Sequence, residues 1–280
     1  YMAIVVVLGF AVLAYGLQGG LERITKYMMV ALFVLMAVLT VHSFTLDGAG
    51  RGLSFYLVPD FSKINGSVIV GAMNQAFFTL SLGIGSMAIF GSYIGKDRSL
   101  MGESVNVIVL DTLAALMAGL IIFPACYTYD IEPGAGPGLL FTTMATVFNQ
   151  MEGGRLWGTL FFLFMMFAAM STVLAVFENI LAMVREKTGW SRPKGSLICG
   201  IGIFLLSIPC ALGFNAWAGF VPFAEGTSFL DLWDFLVSNC LLPLGSMLFV
   251  IFCVSKKHGW GWDNFMAEAN SGRGMKVKQW

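Results

Sequence analysis

The side chains best able to do chemistry lie where an apolar segment should carry none. Between Val68 and Ile94 the chain is long and apolar enough to cross a bilayer. In its middle it reads Asn74-Gln75-Ala76-Phe77-Phe78-Thr79-Leu80-Ser81-Leu82-Gly83-Ile84-Gly85-Ser86. An amide pair and two hydroxyls precede a Gly-x-Gly break. Backbone polar groups left unpaired in hydrocarbon are expensive, so a helix is interrupted at membrane depth only where it is buried in protein or lines a cavity. There the freed N–H and C=O groups can hold a ligand or an ion. The pattern predicts a mid-membrane binding site, with the helix broken at residues 82–85.

Two carboxylates fall inside other apolar segments. Asp111 has no basic residue near it in sequence. Intramembrane carboxylates face a cavity or a partner and mark ion or proton pathways. Glu178 is a second case, and structural pairing explains it as well as function does. Around it, Ala168, Ser171, Thr172, Ala175, Val176 and Asn179 follow the i, i+3, i+4, i+7, i+8, i+11 spacing of one helix face. That small, hydroxyl-bearing face continues outward as Phe164 and Phe161. Such a face suits close helix packing. Beside a broken helix with its own hydroxyls, it equally suits a hard cation, which prefers oxygen ligands.

Enzyme chemistry has little to stand on. Gly83-x-Gly85 lacks the preceding strand and third glycine of a nucleotide fingerprint. The two histidines, His42 and His258, lie near segment ends. No Ser/His/Asp set or metal cluster assembles from the sequence, and no organic cofactor is expected. The five cysteines, Cys126, Cys199, Cys210, Cys240 and Cys253, have no metal-ligand spacing and read as packing residues.

The elements that must position these groups are membrane helices. Of 280 residues, 58% are hydrophobic and 11% charged, where a soluble domain carries about a quarter charged residues. Net charge is zero, which gives no reason to expect a nucleic-acid partner. Seven segments are long enough to span: 2–18, 27–46, 68–94 (broken), 105–126, 156–183, 196–214 and 229–254. One set of alternate connections holds 13 of the 16 Lys and Arg, leaving Arg51, Lys63 and Arg155 on the other side. By the positive-inside rule the chain starts outside and ends in the cytoplasm. The outer connections 48–65 and 128–152 contain amphipathic patches such as Leu139–Gln150, fit either to cap a cavity or to act as ordered connectors. Residues 255–280 read as an interfacial cytoplasmic tail. The opening in an apolar run at Tyr1, without Met, is what a piece of a longer polypeptide would show.

The stretch from Gln75 to Gly85, continued to Ser92 and Tyr93, resembles the sixth helix of the neurotransmitter:sodium symporters, a family that includes bacterial LeuT-type amino-acid transporters. The resemblance runs over essentially all 280 residues, from the fourth helix through the tenth. The face at Ala168–Asn179 agrees with the family's eighth helix. It implies an all-α, polytopic, inverted-repeat fold in a bacterial inner membrane, with the first three helices and the eleventh absent. Phe78, Thr79, Ser81 and Ile84 would line the substrate pocket with Thr172 and Val176, and substrate would also meet the unwound backbone at Leu82 and Gly83. Thr79 and Asp111 would contribute to a first sodium site. Ala168 (through its carbonyl), Ser171 and Thr172 would form half of a second. Gln75, Asp111 and Ala115 would occupy the region that surrounds chloride in animal members. Asp234 would serve an outer gate, and Tyr93 with Glu186 an inner one, the arginine of each lying on missing chain.

Three departures from the family pattern carry consequences. Asp111 replaces the usual Asn, and Ala115 stands where chloride-dependent members carry Ser. A fixed carboxylate would supply chloride's charge, so chloride independence is expected, with proton exchange on the return step compatible with it. Val30 stands where the family's Pro would follow Gly20, which removes a device linked to inward sodium release. Ile84 and Val176 are smaller than their counterparts in the leucine-binding member, which suits a bulky apolar or aromatic amino acid. The expected function is sodium-coupled amino-acid symport by alternating access, with residues 1–280 alone inactive for want of the missing helices. A ligand-binding receptor or channel-like protein, or a structural membrane subunit, would use the same fold.

Overall fold

The computed structural model describes residues 1–14, 22–134, 136–221 and 227–278. Among these residues it is helical throughout, with no strand beyond a single isolated bridge between Arg98 and Arg273. The helices are α1 (Met2–Ala14), α2 (Glu22–Phe44), α3 (Ala49–Leu57), α4 (Gly66–Thr79), α5 (Ser86–Ser92), α6 (Leu100–Thr128), α7 (Gly136–Gly138) and α8 (Met144–Gln150). They continue as α9 (Gly154–Thr188), α10 (Arg192–Gly213), α11 (Phe229–Asp234), α12 (Leu242–Val254) and α13 (Trp262–Ala269). A π-helical stretch, Phe235–Leu241, joins α11 to α12, and another, Leu139–Thr143, precedes α8.

Among the described residues, five helical stretches are long and apolar enough to cross a membrane: Glu22–Phe44, Leu100–Thr128, Gly154–Thr188, Arg192–Gly213 and Phe229–Val254. The broken span 68–94 is realised as the separate helices α4 and α5. The first expected span is helical over Met2–Ala14, and its residues 15–18 lie outside the described ones, as does Gly20. Helix α2 runs unbroken through Val30.

The chain forms two compact units, and the division falls within α6 and α9. The first comprises Tyr1–Ala14, Ile64–Asp111 and Ala175–Trp280. In it α1 lies on α10, where the Phe10 ring covers Gly200 and a Cβ would come within 3.2 Å, and Phe10 also stacks on Phe177 of α9 with ring centroids 4.5 Å apart. Arg192 closes the end of α1 by donating from Nε to the Leu13 carbonyl at 2.6 Å. The tail does not hang free. Beyond α13 it returns to the loop before α6, where Arg273 N–H donates to the Asp97 carbonyl at 2.7 Å and Ser99 N–H to the Arg273 carbonyl at 3.0 Å.

The second unit comprises Tyr15–Lys63 and Thr112–Leu174. Its core includes Met36 and Leu39 from α2, Cys126 from α6, Met144 and Val147 from α8, and Phe161 from α9. The amphipathic patch at Leu139–Gln150 thus turns Met144 and Val147 fully inward. Phe161 and Phe164 are buried in the same core, so the aromatic end of the α9 face is packing rather than cavity lining. Ser43 donates to the Ile121 carbonyl at 3.1 Å, and His42 stacks on Trp157 with centroids 3.5 Å apart.

Candidate functional site

Helix α4 starts at a capping residue: the Asn65 side chain accepts a hydrogen bond from Val68 N–H at 3.0 Å. It ends at Thr79, and the chain stays non-helical from Leu80 to Gly85 before α5 resumes. The reversal is built on left-handed residues, Ser81 at φ 51°, Gly83 at φ 83° and Gly85 at φ 82°. Gly83 is required twice over. A side chain is disfavoured at that φ, and a Cβ there would overlap the Leu242 carbonyl oxygen of α12. From the other side, a Cβ on Gly245 would overlap the Gly83 carbonyl.

At the end of α4, Thr79 Oγ1 donates to Asp111 Oδ1 at 2.9 Å. Among the described residues, Asp111 has no ion-pair partner. The pair therefore presents a carboxylate and a hydroxyl oxygen beside the break with the negative charge uncompensated, which suits a small hard cation. The break is held from α9 as well: Asn179 Nδ2 donates to the Ile84 carbonyl at 3.2 Å. Phe78 and Ile84 flank the break with exposed side chains, Leu82 is at the margin of exposure, and Val176 is half-buried on α9.

In the second unit, Ser171 Oγ and Thr172 Oγ1 both reach the carbonyl of Ala168, at 2.8 and 3.2 Å. Three oxygens thus converge on one turn of α9. The hydroxyl hydrogens that point at the carbonyl can rotate away when a cation takes their place. The Ala115 carbonyl of the same unit accepts from Tyr56 Oη at 3.2 Å. Burial raises the Tyr56 phenol above its ordinary pKa, which keeps it a donor. Tyr56 also fills the space over Gly119, where any Cβ would run into its ring.

A third cluster joins the inner half of α9 to α5 and α10. Glu178 is fully buried. Its Oε1 accepts from Tyr93 Oη at 3.1 Å, and its Oε2 pairs with Arg192 NH2 at 2.5 Å. Tyr93 thus bonds Glu178; no hydrogen bond joins it to Glu186 among the described residues, and Glu186 is exposed on the last turn of α9. The outer acid Asp234 is exposed and accepts from Ser238 at 2.8 Å. Asp231 closes a capping box with Ser228, a helix-start role. Gln75 is exposed on α4.

From the sequence Asn179 is only a member of the α9 face, with no role of its own, and Arg192 carries none. Asn179 shares the face of Ser171 and Thr172, and an amide amid apolar residues was its signal. Arg192 reads in sequence as one more cytoplasmic cation. Nothing in its spacing distinguishes a buried partner of Glu178 from a solvated charge.

A helix broken at Leu80–Gly85, with a carboxylate beside it that has no ion-pair partner among the described residues, is a feature of membrane proteins with discontinuous helices. The chain belongs to the sodium:neurotransmitter symporter family, whose sequence model matches residues 1–280. It is 36% identical over 253 residues to an uncharacterized sodium-dependent transporter of Haemophilus influenzae, covering 90% of this chain and 55% of that protein. It is 37% identical over 241 residues to the sodium-dependent transporter YhdH of Bacillus subtilis, covering 86% of this chain and 53% of the relative. Among solved structures it resembles MhsT in complex with L-phenylalanine, with TM-score 0.85 and 36% identity over 97% of this chain and 61% of MhsT. The chain therefore spans a little over half the length of the curated relatives it matches. The likeness to MhsT makes the fold LeuT-like.

Proposed function

We propose that these residues form the greater part of a sodium-coupled amino-acid symporter of a bacterial inner membrane, working by alternating access. The observation that carries this reading is the Thr79–Asp111 pair: a carboxylate inside a span, with no cation partner among the described residues, meeting a hydroxyl where α4 ends. Sodium is the co-transported substrate. It would take its first set of ligands from Thr79 and Asp111, and half of its second from the Ala168 carbonyl, Ser171 and Thr172. The amino acid would lie along the break, its carboxylate near the backbone of Leu82 and Gly83. Phe78, Ser81, Ile84, Thr172 and Val176 would shape the pocket. The relatively small Ile84 and Val176, and the phenylalanine bound by the similar MhsT, favour an apolar or aromatic substrate.

The Asp111 carboxylate supplies a fixed negative charge, and Ala115 offers no hydroxyl, so the transporter is chloride-independent. Tyr93 and Glu186 belong to the inner gate and Asp234 to the outer one. Residues 1–280 alone do not transport, because the longer relatives supply roughly as much chain again; sodium-dependent uptake by these residues alone would refute this point.

The test is binding of a labelled amino-acid panel to the longest natural polypeptide carrying these residues, in sodium or in potassium, with and without chloride. Sodium-dependent, chloride-indifferent binding of an apolar or aromatic amino acid, lost in Thr79→Val and Asp111→Leu, is the expected result. No sodium effect across the panel would return the chain to the receptor, channel-like or structural readings.

A further inference from the structure

We infer that Asn239 is a positioning residue for the sodium and substrate site, acting through Asn74 on the outer half of the broken helix. Asn239 Oδ1 accepts a hydrogen bond from Asn74 Nδ2 at 2.7 Å, between groups 165 residues apart in sequence. Asn74 lies on α4 five residues before Thr79, so whatever fixes Asn74 fixes the turn that carries the sodium-facing hydroxyl. The same helix then takes hold of the break itself. The Leu242 carbonyl, the Ser246 N–H and Gly245 close on Gly83 so tightly that neither glycine admits a Cβ. The C-terminal part of the outer half-helix is therefore held on one neighbour, by an amide pair at Asn74 and by backbone contact just beyond the helix at Gly83.

The local structure of that neighbour makes the double seat possible. Asn239 lies within the π-helical stretch Phe235–Leu241, and the glycine contact begins at Leu242, the first residue of regular α12. Asn239, Leu242 and Ser246 keep the i, i+3, i+7 spacing of a single helix face, so the amide and the glycine contact meet the broken helix from one side. Turns of the π type occur preferentially at functional sites. The seat differs from the contact at Thr79–Asp111 because it touches neither of those two side chains. It sets where they stand.

The inference rests on the symporter reading above, and the experiment separates the two. The longest natural polypeptide carrying these residues is reconstituted in vesicles, and sodium-dependent uptake of the amino acid found in the binding panel is measured for wild type, Asn74→Ala, Asn239→Ala and the double variant. Each single change should raise the sodium concentration for half-maximal uptake about three- to tenfold, the range of one interhelical hydrogen bond in a membrane. Maximal rate should change little, and the double variant should be no worse than either single one. Asn239→Asp, which keeps the acceptor, should stay near wild type, whereas Asn239→Leu, which keeps the bulk and removes the acceptor, should behave like Asn239→Ala. Additive effects, or a fall in maximal rate with sodium half-saturation unchanged, would overturn the inference. Absence of sodium-dependent uptake in wild type refutes the symporter reading instead. In that case hydrogen exchange decides the seat: faster exchange of the α4 amides in Asn239→Ala supports it, and unchanged exchange overturns it.

Discussion

The side-chain amide of Asn179 hydrogen-bonds the backbone carbonyl of Ile84, 95 residues earlier in the chain, across 3.2 Å. A helix broken within a membrane exposes carbonyls that water cannot satisfy, and Asn179 satisfies one of them. Asn179 lies on the same helix, α9, as Ser171 and Thr172.

Removing that donor should loosen the break without destroying the fold. Asn179→Leu removes the donor to the Ile84 carbonyl, a loss of about 1 kcal/mol for one hydrogen bond. The expected outcome is a rise of roughly tenfold in the dissociation constant for the amino acid, read by equilibrium binding in saturating sodium. Asn179→Asp, which replaces the donor with an acceptor, should behave like Leu; wild-type affinity in both would remove Asn179 from the site.

The buried Glu178–Arg192 pair predicts an asymmetric stability result. Glu178 is inaccessible and the Arg192 side chain is 18% exposed. Losing one member of a buried pair strands the other and costs about 3–5 kcal/mol, whereas replacing both together costs much less. Thermal unfolding in detergent should therefore show Glu178→Leu and Arg192→Leu each well below wild type, with the double variant recovering most of the loss. Tyr93→Phe removes only one hydrogen bond and should cost about 1 kcal/mol.

The two glycines of the break should not be equivalent. Both have positive φ, and an L side chain there costs about 1–2 kcal/mol. At Gly85 the nearest atom to a new Cβ is 3.6 Å away, an ordinary contact with Phe249. At Gly83 the Cβ would overlap the Leu242 carbonyl. Gly85→Ala should weaken sodium-dependent binding modestly, and Gly83→Ala should abolish it. Equal losses in a parallel binding series would show that the closeness of α12 has no functional weight.

The charge of Asp111 is expected to stand in for an anion. Asp111→Asn should lower the apparent sodium affinity by about tenfold, equivalent to roughly 1.4 kcal/mol. Combined with Ala115→Ser it should make binding responsive to chloride. Binding in chloride and in gluconate buffers checks this, and a double variant indifferent to chloride would count against the replacement.

Much of this molecule was legible in its residues because a bilayer punishes exceptions. A Gly-x-Gly interruption, a lone Asp111 and a hydroxyl pair on one helix face stand out against an apolar background, since each needs a reason to be there. The Thr79–Asp111 contact and the convergence of Ser171 and Thr172 on Ala168 follow the residue types that marked them. Helix α9 could likewise be read by its period of about 3.6 residues, though that period alone did not separate the hydroxyl-bearing turn at Ala168–Thr172 from Phe161 and Phe164, which are core.

Sequence by itself determined the class of the protein: all-helical, membrane-spanning, interrupted at residues 82–85, with hydroxyl and carboxylate side chains marked out around the interruption; the structure starts the break two residues earlier, at Leu80. These are properties of composition and local spacing, and the hydrophobic environment makes them nearly unambiguous. Tertiary structure alone decided the partners. It joined Tyr93 to Glu178, Arg192 to Glu178, Asn179 to Ile84 and Asn74 to Asn239. The reason is physical: a hydrogen bond is directional and reaches only about 3 Å, so its partner depends on how distant helices are rotated and offset. No local pattern records that rotation, and a π turn of one extra residue is enough to change it.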